Sequence, residues 1–171
     1  MRTAAASITI DRPLEDVRAY LLDIGTRPEF APTLFRDFRL TRVESQGVGA
    51  GARYRLHRKM RDRYAGTTIT RSDAEGVLEE GSTGRGGRVK MAIEWQLTEQ
   101  PGGATKVDWL IETYPTNIAD RTREFRMRGQ LRRRMRSSLR RLRAILEQSP
   151  SAVRGDRATI NGMDPSYVPN P

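Results

Sequence analysis

The fold is decided by a stretch near the end of the chain, residues 116–148, which reads TNIADRTREFRMRGQLRRRMRSSLRRLRAILEQ. In its second half, apolar residues recur at spacings of four, four, three and four, at Leu131, Met135, Leu139, Leu142 and Leu146. Residues at this period lie on one side of an α-helix. A helix with one apolar side has to bury that side against another element. We therefore expect a curved sheet to close around this helix.

Upstream of the helix, segments typical of β-strands alternate with glycine-rich turns. A first strand is expected at residues 5–10, before two short helices at 14–22 and 27–32, with Asp11 as the N-cap of the first. The later strand candidates lie at residues 38–44, 52–60, 64–71, 77–83, 88–99 and 105–114. Because their spacing is that of hairpins, the six later segments predict an antiparallel meander.

The last two strand candidates alternate cleanly between apolar and polar residues. One face of the first carries Val89, Met91, Ile93, Trp95 and Leu97, and one face of the second carries Val107, Trp109 and Ile111. Such alternation is typical of an antiparallel sheet with one wet face and one covered face. We expect the long helix to be the cover.

Length and composition indicate one domain at residues 1–148 followed by a tail. The chain of 171 residues contains no cysteine, which excludes disulfides, thiol nucleophiles and thiolate metal sites. No apolar run is long enough for a signal peptide or a membrane span, so a cytoplasmic protein is expected. Residues 149–171 carry four prolines among polar residues, and we expect this tail to be disordered.

The positive charge is concentrated on the long helix. Residues 116–148 contain eleven arginines and three acidic residues, which accounts for +8 of the net +10. One interpretation is a solvated outer face. The other is a weak electrostatic contact with an anionic membrane or with nucleic acid.

The order of these segments resembles the START/polyketide-cyclase-like (SRPBCC) superfamily. The stretch SITIDRPLEDV at residues 7–17 is similar to that superfamily's opening, in which an apolar strand runs into a Pro-x-x-x-Val helix. The segments RPEFAP at 27–32, VGAG at 48–51 and SLRRL at 138–142 are also similar to it. The resemblance covers roughly residues 4–148. It implies an α+β helix-grip fold, with a curved antiparallel sheet wrapped around a long C-terminal helix.

The resemblance further implies a cavity between the sheet and the long helix, which holds an apolar or amphipathic small molecule such as a lipid, sterol-like or polyketide-like compound. It implies no cofactor and no particular reaction, since some relatives are cyclases and others only bind or carry ligands. We expect binding or transport without chemistry. The alternatives are an enzyme of the cyclase/dehydratase type and an interaction module that uses the arginine-rich helix.

Strand alternation and the expected position of the helix select the residues that would line such a cavity. They are Tyr54, Leu56, Arg58, Glu79, Met91, Ile93, Trp95, Trp109, Ile111, Thr113, Glu124 and Arg128. The same residues could also simply form the core.

Three charged residues of this set need an explanation inside a fold. An inward Arg58 would require a carboxylate or an anionic ligand, and Glu79 is a candidate partner. Glu124 and Arg128 occupy helix positions where apolar residues would continue the stripe, so they could meet the polar end of a ligand. A bend at Gly129 is the other explanation for those two charges.

The residue types in the sequence give little support for a catalytic site or a metal site. His57 is the single histidine, and alternation places it on the outer face of its strand. With neither a second histidine nor a cysteine, a transition-metal site is not expected. We therefore predict no catalytic residue.

Overall fold

The computed structural model describes residues 2–56, 63–115 and 118–148, and for residues 2, 3, 63, 85 and 118–127 the description is limited to the backbone. Four expectations concern parts of the chain that are not described. They are those for Arg58, for His57, for the Glu124 side chain and for the tail at 149–171.

The chain begins with strand β1 and then forms short helices. Strand β1 spans Arg2–Ile10, helix α1 spans Leu14–Leu22, a 3₁₀ turn covers Ile24–Thr26, and helix α2 spans Arg27–Phe30. Helix α1 buries Val17, Tyr20 and Leu21. Its bounds are those expected from the sequence. The expected cap is wrong, because Pro13 occupies the N-cap position and the Asp11 backbone N–H donates to the Glu147 carboxylate instead.

Six strands and a long helix follow. The strands are β2 (Arg36–Leu40), β3 (Gly51–Leu56), β4 (Arg63–Asp73), β5 (Gly76–Thr83), β6 (Val89–Glu99) and β7 (Thr105–Tyr114). Helix α3 spans Ile118–Gln148. Strand β2 was expected at 38–44 but starts and ends earlier, and a register shift interrupts its pairing with β3 between Arg36 and Arg39.

Within the described chain, seven strands form one antiparallel sheet in the order β1-β7-β6-β5-β4-β3-β2. The six later strands are a meander, and β1 adds to its far side by pairing with β7. Helix α3 packs against β1 and α2, with Met135, Leu139, Leu142 and Leu146 fully buried. The predicted helix-grip fold is therefore confirmed.

The C-terminal end of α3 is tied to the end of β1. The Arg12 Nε donates to the Leu146 carbonyl at 2.8 Å, next to the bond between the Asp11 N–H and Glu147. This anchor lies beside the Ile10–Thr105 pair, which marks one end of the sheet. From Leu146 back towards its N-terminus, α3 therefore runs towards the opposite end of the sheet. That direction decides which side chains share each end of the grip.

Candidate functional site

A fully buried ion pair lies on the inner face of the sheet. The Arg27 Nε and Nη2 atoms both lie 2.9 Å from Oε1 of Glu79, and neither side chain has any exposed surface. The same Glu79 carboxylate accepts from Trp95 Nε1 at 3.0 Å and from the Thr67 hydroxyl at 3.1 Å. A buried carboxylate needs this many donors, because an unpaired charge in the core costs several kcal/mol.

Helix α2 positions Arg27 because the first and last residues of its single turn both face the sheet. Arg27 donates from Nη2 to the Leu21 carbonyl at 2.6 Å, which fixes the guanidinium against the end of α1. The guanidinium lies 5.1 Å from the centre of the Trp95 ring, within the range of a cation–π contact. Phe30, one turn later, contacts Trp95 and Trp109 edge-on at 5.8 and 6.3 Å.

The two tryptophans stack on each other. Trp95 of β6 and Trp109 of β7 are directly paired across the strands, and their ring centroids are 4.4 Å apart at an angle of 16°. Both side chains are fully buried. The Trp109 Nε1 atom donates to no group in the described structure. The centre of the inner face of the sheet thus carries stacked aromatic side chains with one buried ion pair beside them.

A second aromatic cluster surrounds Tyr54. Its ring lies 4.7 Å from that of Phe35 and is stacked on Phe38 at 6.4 Å. The Tyr54 hydroxyl is close to the Thr67 hydroxyl but forms no hydrogen bond of good geometry in the described structure. Burial, followed by the nearby negative charge of Glu79, raises the pKa of Tyr54 far above its ordinary value. Tyr54 therefore stays protonated at any physiological pH and can act only as a hydroxyl donor or acceptor.

On strands β7 and β3, burial of inward-facing side chains falls off towards one end of the grip, whereas Thr83, Val89 and Met91 of β5 and β6 stay buried at that end. On β7, Thr105, Val107 and Trp109 are buried, whereas Ile111 and Thr113 are half-buried. The same change occurs on β3 between Tyr54 and Leu56.

Helix α3 shows the same trend. Met135 is fully buried, but Leu131 and Arg128 are half-buried. Because α3 is anchored at the opposite end, its less buried residues lie towards the same end of the sheet as Thr113. We call this region, composed of Leu56, Ile111, Thr113, Arg128 and Leu131, the open end.

The positions expected from the sequence thus divide into two groups. Six of them are buried in the core, namely Tyr54, Glu79, Met91, Ile93, Trp95 and Trp109. Four lie at the open end, namely Leu56, Ile111, Thr113 and Arg128. Glu79 faces inward as expected, but its cationic partner is Arg27, which the sequence analysis missed. The available signal was the spacing of Arg27 and Phe30, which are three residues apart and so share one face of a helical turn.

A groove also opens on another part of the molecule, at the end of the β4–β5 hairpin. It has a volume of about 320 Å³ and is lined largely by polar and charged residues, among them Arg71, Asp73, Glu75 and Glu94. Such a lining does not suit an apolar ligand. In the described ranges, no three His, Asp or Glu side chains come together as candidate metal ligands. The candidate site is therefore inside the grip.

The family model described as "Polyketide cyclase / dehydrase and lipid transport" matches residues 1–147. The chain belongs to this family. A search of curated proteins found no match. None of the helices in the described ranges is long and apolar enough to cross a bilayer.

Solved structures with the same fold confirm the architecture. The KanY protein superposes with a TM-score of 0.71 at 19% identity, covering 85% of this chain and 97% of that one. The ZhuI aromatase/cyclase from a Streptomyces species gives 0.65 at 15% identity, with 90% and 96% covered. The major latex-like protein 151 of Panax ginseng gives 0.60 at 16% identity, with 84% and 95% covered. At these identities the likeness concerns the fold alone.

Proposed function

We propose that the protein binds and carries an apolar or amphipathic small molecule, such as a lipid, sterol-like or polyketide-like compound, at the open end of the helix grip. The observation that carries this proposal is the loss of burial among inward-facing side chains of β3, β7 and α3 at one end. Ile111 and Leu131 are apolar residues on the inner surfaces of the sheet and helix, yet water reaches both. A ligand that covers them would remove apolar surface from water, at about 25 cal/mol for each Å².

The polar residues at this end suit an amphipathic ligand. Thr113 offers a hydroxyl, and Arg128 offers a guanidinium that pairs with carboxylate or phosphate groups. An apolar wall with a few polar contacts is the usual composition of a small-molecule site. The family description, which names lipid transport beside cyclase and dehydrase activity, supports the same class of ligand.

Carriage is favoured over catalysis by the state of the inner carboxylate. A cyclase or dehydratase needs an acid or base that reaches the reacting atoms. Glu79 is enclosed by Arg27, Trp95 and Thr67 and has no exposed surface, so a ligand at the open end does not reach it. The Glu79 network therefore supports a structural role, and the proposed function needs no reaction.

The first experiment is native mass spectrometry of the purified protein, followed by extraction and identification of anything bound. We expect an apolar or amphipathic molecule to co-purify. We also expect its chemical structure to be the same before and after incubation with the protein. Recovery of that molecule with one water lost after incubation would contradict carriage and indicate a dehydratase. If no molecule co-purifies, binding is measured with a fluorescent fatty acid.

A bulky substitution at the open end tests the location. Thr113→Trp places a large side chain on the inner face, and we expect it to weaken binding of the fluorescent fatty acid by at least about tenfold. Thr98→Trp adds the same side chain at an exposed position of β6 and should leave binding unchanged. Equal affinity of the two variants would place the ligand elsewhere.

A further inference from the structure

Helix α3 carries an exposed row of arginines beside its buried stripe. At 100° for each residue, Arg132, Arg133, Arg136 and Arg140 fall within an arc of roughly 100°, over a length of about 12 Å. All four side chains are exposed. We call this set the arginine face.

The arginine face lacks acidic partners. Residues 128–148 contain eight arginines and one acidic residue, Glu147, which pairs with Arg143 at 3.0 Å. Across the rest of the described chain, no carboxylate forms an ion pair with the four arginines of the face. Their positive charge is therefore left for an external partner.

The surface of the sheet differs from the helix in this respect. Several of its cations are paired with neighbouring carboxylates, as in Arg55–Asp37 at 2.7 Å, Arg71–Asp73 at 3.2 Å and Lys106–Asp108 at 2.8 Å. Part of the positive charge on the sheet is thus neutralised locally, whereas the charge of the arginine face is not.

The spacing of the arginines within the face destabilises the helix. Arg132 and Arg136, Arg133 and Arg136, and Arg136 and Arg140 are neighbours at three or four residues, where like charges destabilise a helix. Binding to a layer of negative charge relieves this repulsion. An anionic partner is therefore expected to stabilise the fold as well as to bind it.

We infer that the arginine face docks on the surface of an anionic phospholipid bilayer. A row of guanidiniums along one side of a helix can contact several phosphate or carboxylate headgroups, and guanidinium geometry suits bidentate contacts with such groups. Recognition of single-stranded nucleic acid relies on exposed aromatic side chains for base stacking. In the described ranges the exposed aromatic residues are Tyr64 and Tyr114, which lie on strands β4 and β7 and not on α3.

The test is co-sedimentation with vesicles of phosphatidylcholine and phosphatidylserine, compared with vesicles of phosphatidylcholine alone. The wild-type protein should sediment only with the anionic vesicles, and less as salt is raised. Replacing three arginines of the face, in Arg132→Gln/Arg136→Gln/Arg140→Gln, should weaken partitioning by about 100-fold. Anionic vesicles should also raise the melting temperature of the wild-type protein but not that of this variant.

A matched control separates the face from the net charge. Arg36→Gln/Arg39→Gln/Arg42→Gln removes the same charge from exposed positions at β2 and the following loop, and it should change partitioning by less than about fivefold. Equal loss in both variants would overturn the inference, since net charge alone would then explain binding. Tighter binding to a single-stranded oligonucleotide than to anionic vesicles at the same salt would also overturn it.

The result of the vesicle experiment does not depend on whether the open end binds a ligand. The substituted arginines lie outside the open end, so fluorescent fatty-acid binding by the helix variant should equal that of the wild type. Retained circular dichroism, with a melting temperature at least as high as that of the wild type without vesicles, would confirm that the variant is folded.

Discussion

At the scale of single residues, the Arg27–Glu79 pair has the largest predicted effect on stability. Glu79→Gln leaves the Arg27 guanidinium buried without a counter-charge, so the free energy of unfolding should fall by about 3–5 kcal/mol. Replacing both partners, in Arg27→Met/Glu79→Leu, removes the charge and its desolvation cost together. We therefore expect the double variant to be more stable than Glu79→Gln in urea unfolding.

An exposed pair is the control for this measurement. Asp108 is 2.8 Å from Lys106, and both side chains are partly exposed. Asp108→Asn should cost less than about 1 kcal/mol. An Arg27→Met/Glu79→Leu variant no more stable than Glu79→Gln would show that the unpaired Arg27 charge is not what destabilises the single variant.

The same pair shows what can and cannot be predicted from a sequence. Glu79 was expected as a candidate partner for an inward-facing Arg58, and the structure buries Glu79 on the inner face of β5. Its partner was expected on a strand, at Arg58, which lies outside the described residues. Arg27 was missed because it comes from a one-turn helix, whose orientation depends on packing against Trp95 and Phe30 rather than on a periodic pattern.

At the scale of secondary-structure elements, the β4–β5 hairpin depends on a glycine. A Cβ atom built at Gly81 would lie 1.9 Å from the Gly66 carbonyl oxygen, so no side chain fits without a backbone shift. Gly81→Ala should therefore lower the free energy of unfolding by more than about 2 kcal/mol. At Gly66 the nearest atom would be 3.7 Å away, an ordinary contact, and Gly66→Ala should change stability by less than about 1 kcal/mol.

Urea unfolding of the two alanine variants provides the comparison. Similar losses at Gly66 and Gly81 would mean that the hairpin adjusts freely to an added methyl group. Strand positions were predictable here because glycine-rich turns separate the apolar runs. The close contact was not, since it depends on how two neighbouring strands approach each other.

At the scale of the whole molecule, Glu147 joins the last helix to the end of the first strand. The backbone N–H of Asp11, followed by the side chain of Arg143, holds the pKa of Glu147 below its ordinary value. Because the folded pKa is lowered, the contribution to stability is complete above the unfolded pKa and is lost as the pH falls through the folded pKa. Glu147→Gln should thus cost about 1 kcal/mol at pH 7 and progressively less below about pH 4.

Thermal unfolding of both proteins across this pH range checks the prediction. A difference between wild type and Glu147→Gln that is the same at pH 7 and pH 3 would show that the charge of Glu147 does not stabilise the fold. The tie itself was not expected from the sequence, which favoured Asp11 as a helix cap. Contacts between residues 136 positions apart leave no local pattern.

The pairing of β1 with β7 has a consequence for how the protein emerges from the ribosome. Ile10 pairs with Thr105, 95 residues later in the chain. At about 5–20 residues per second, the first strand therefore waits roughly 5–20 s for its partner, and longer for helix α3. An unpaired strand is a site for aggregation during such a delay. The run of three alanines and a serine at Ala4, Ala5, Ala6 and Ser7 gives the waiting strand little apolar surface, which lowers that risk during synthesis.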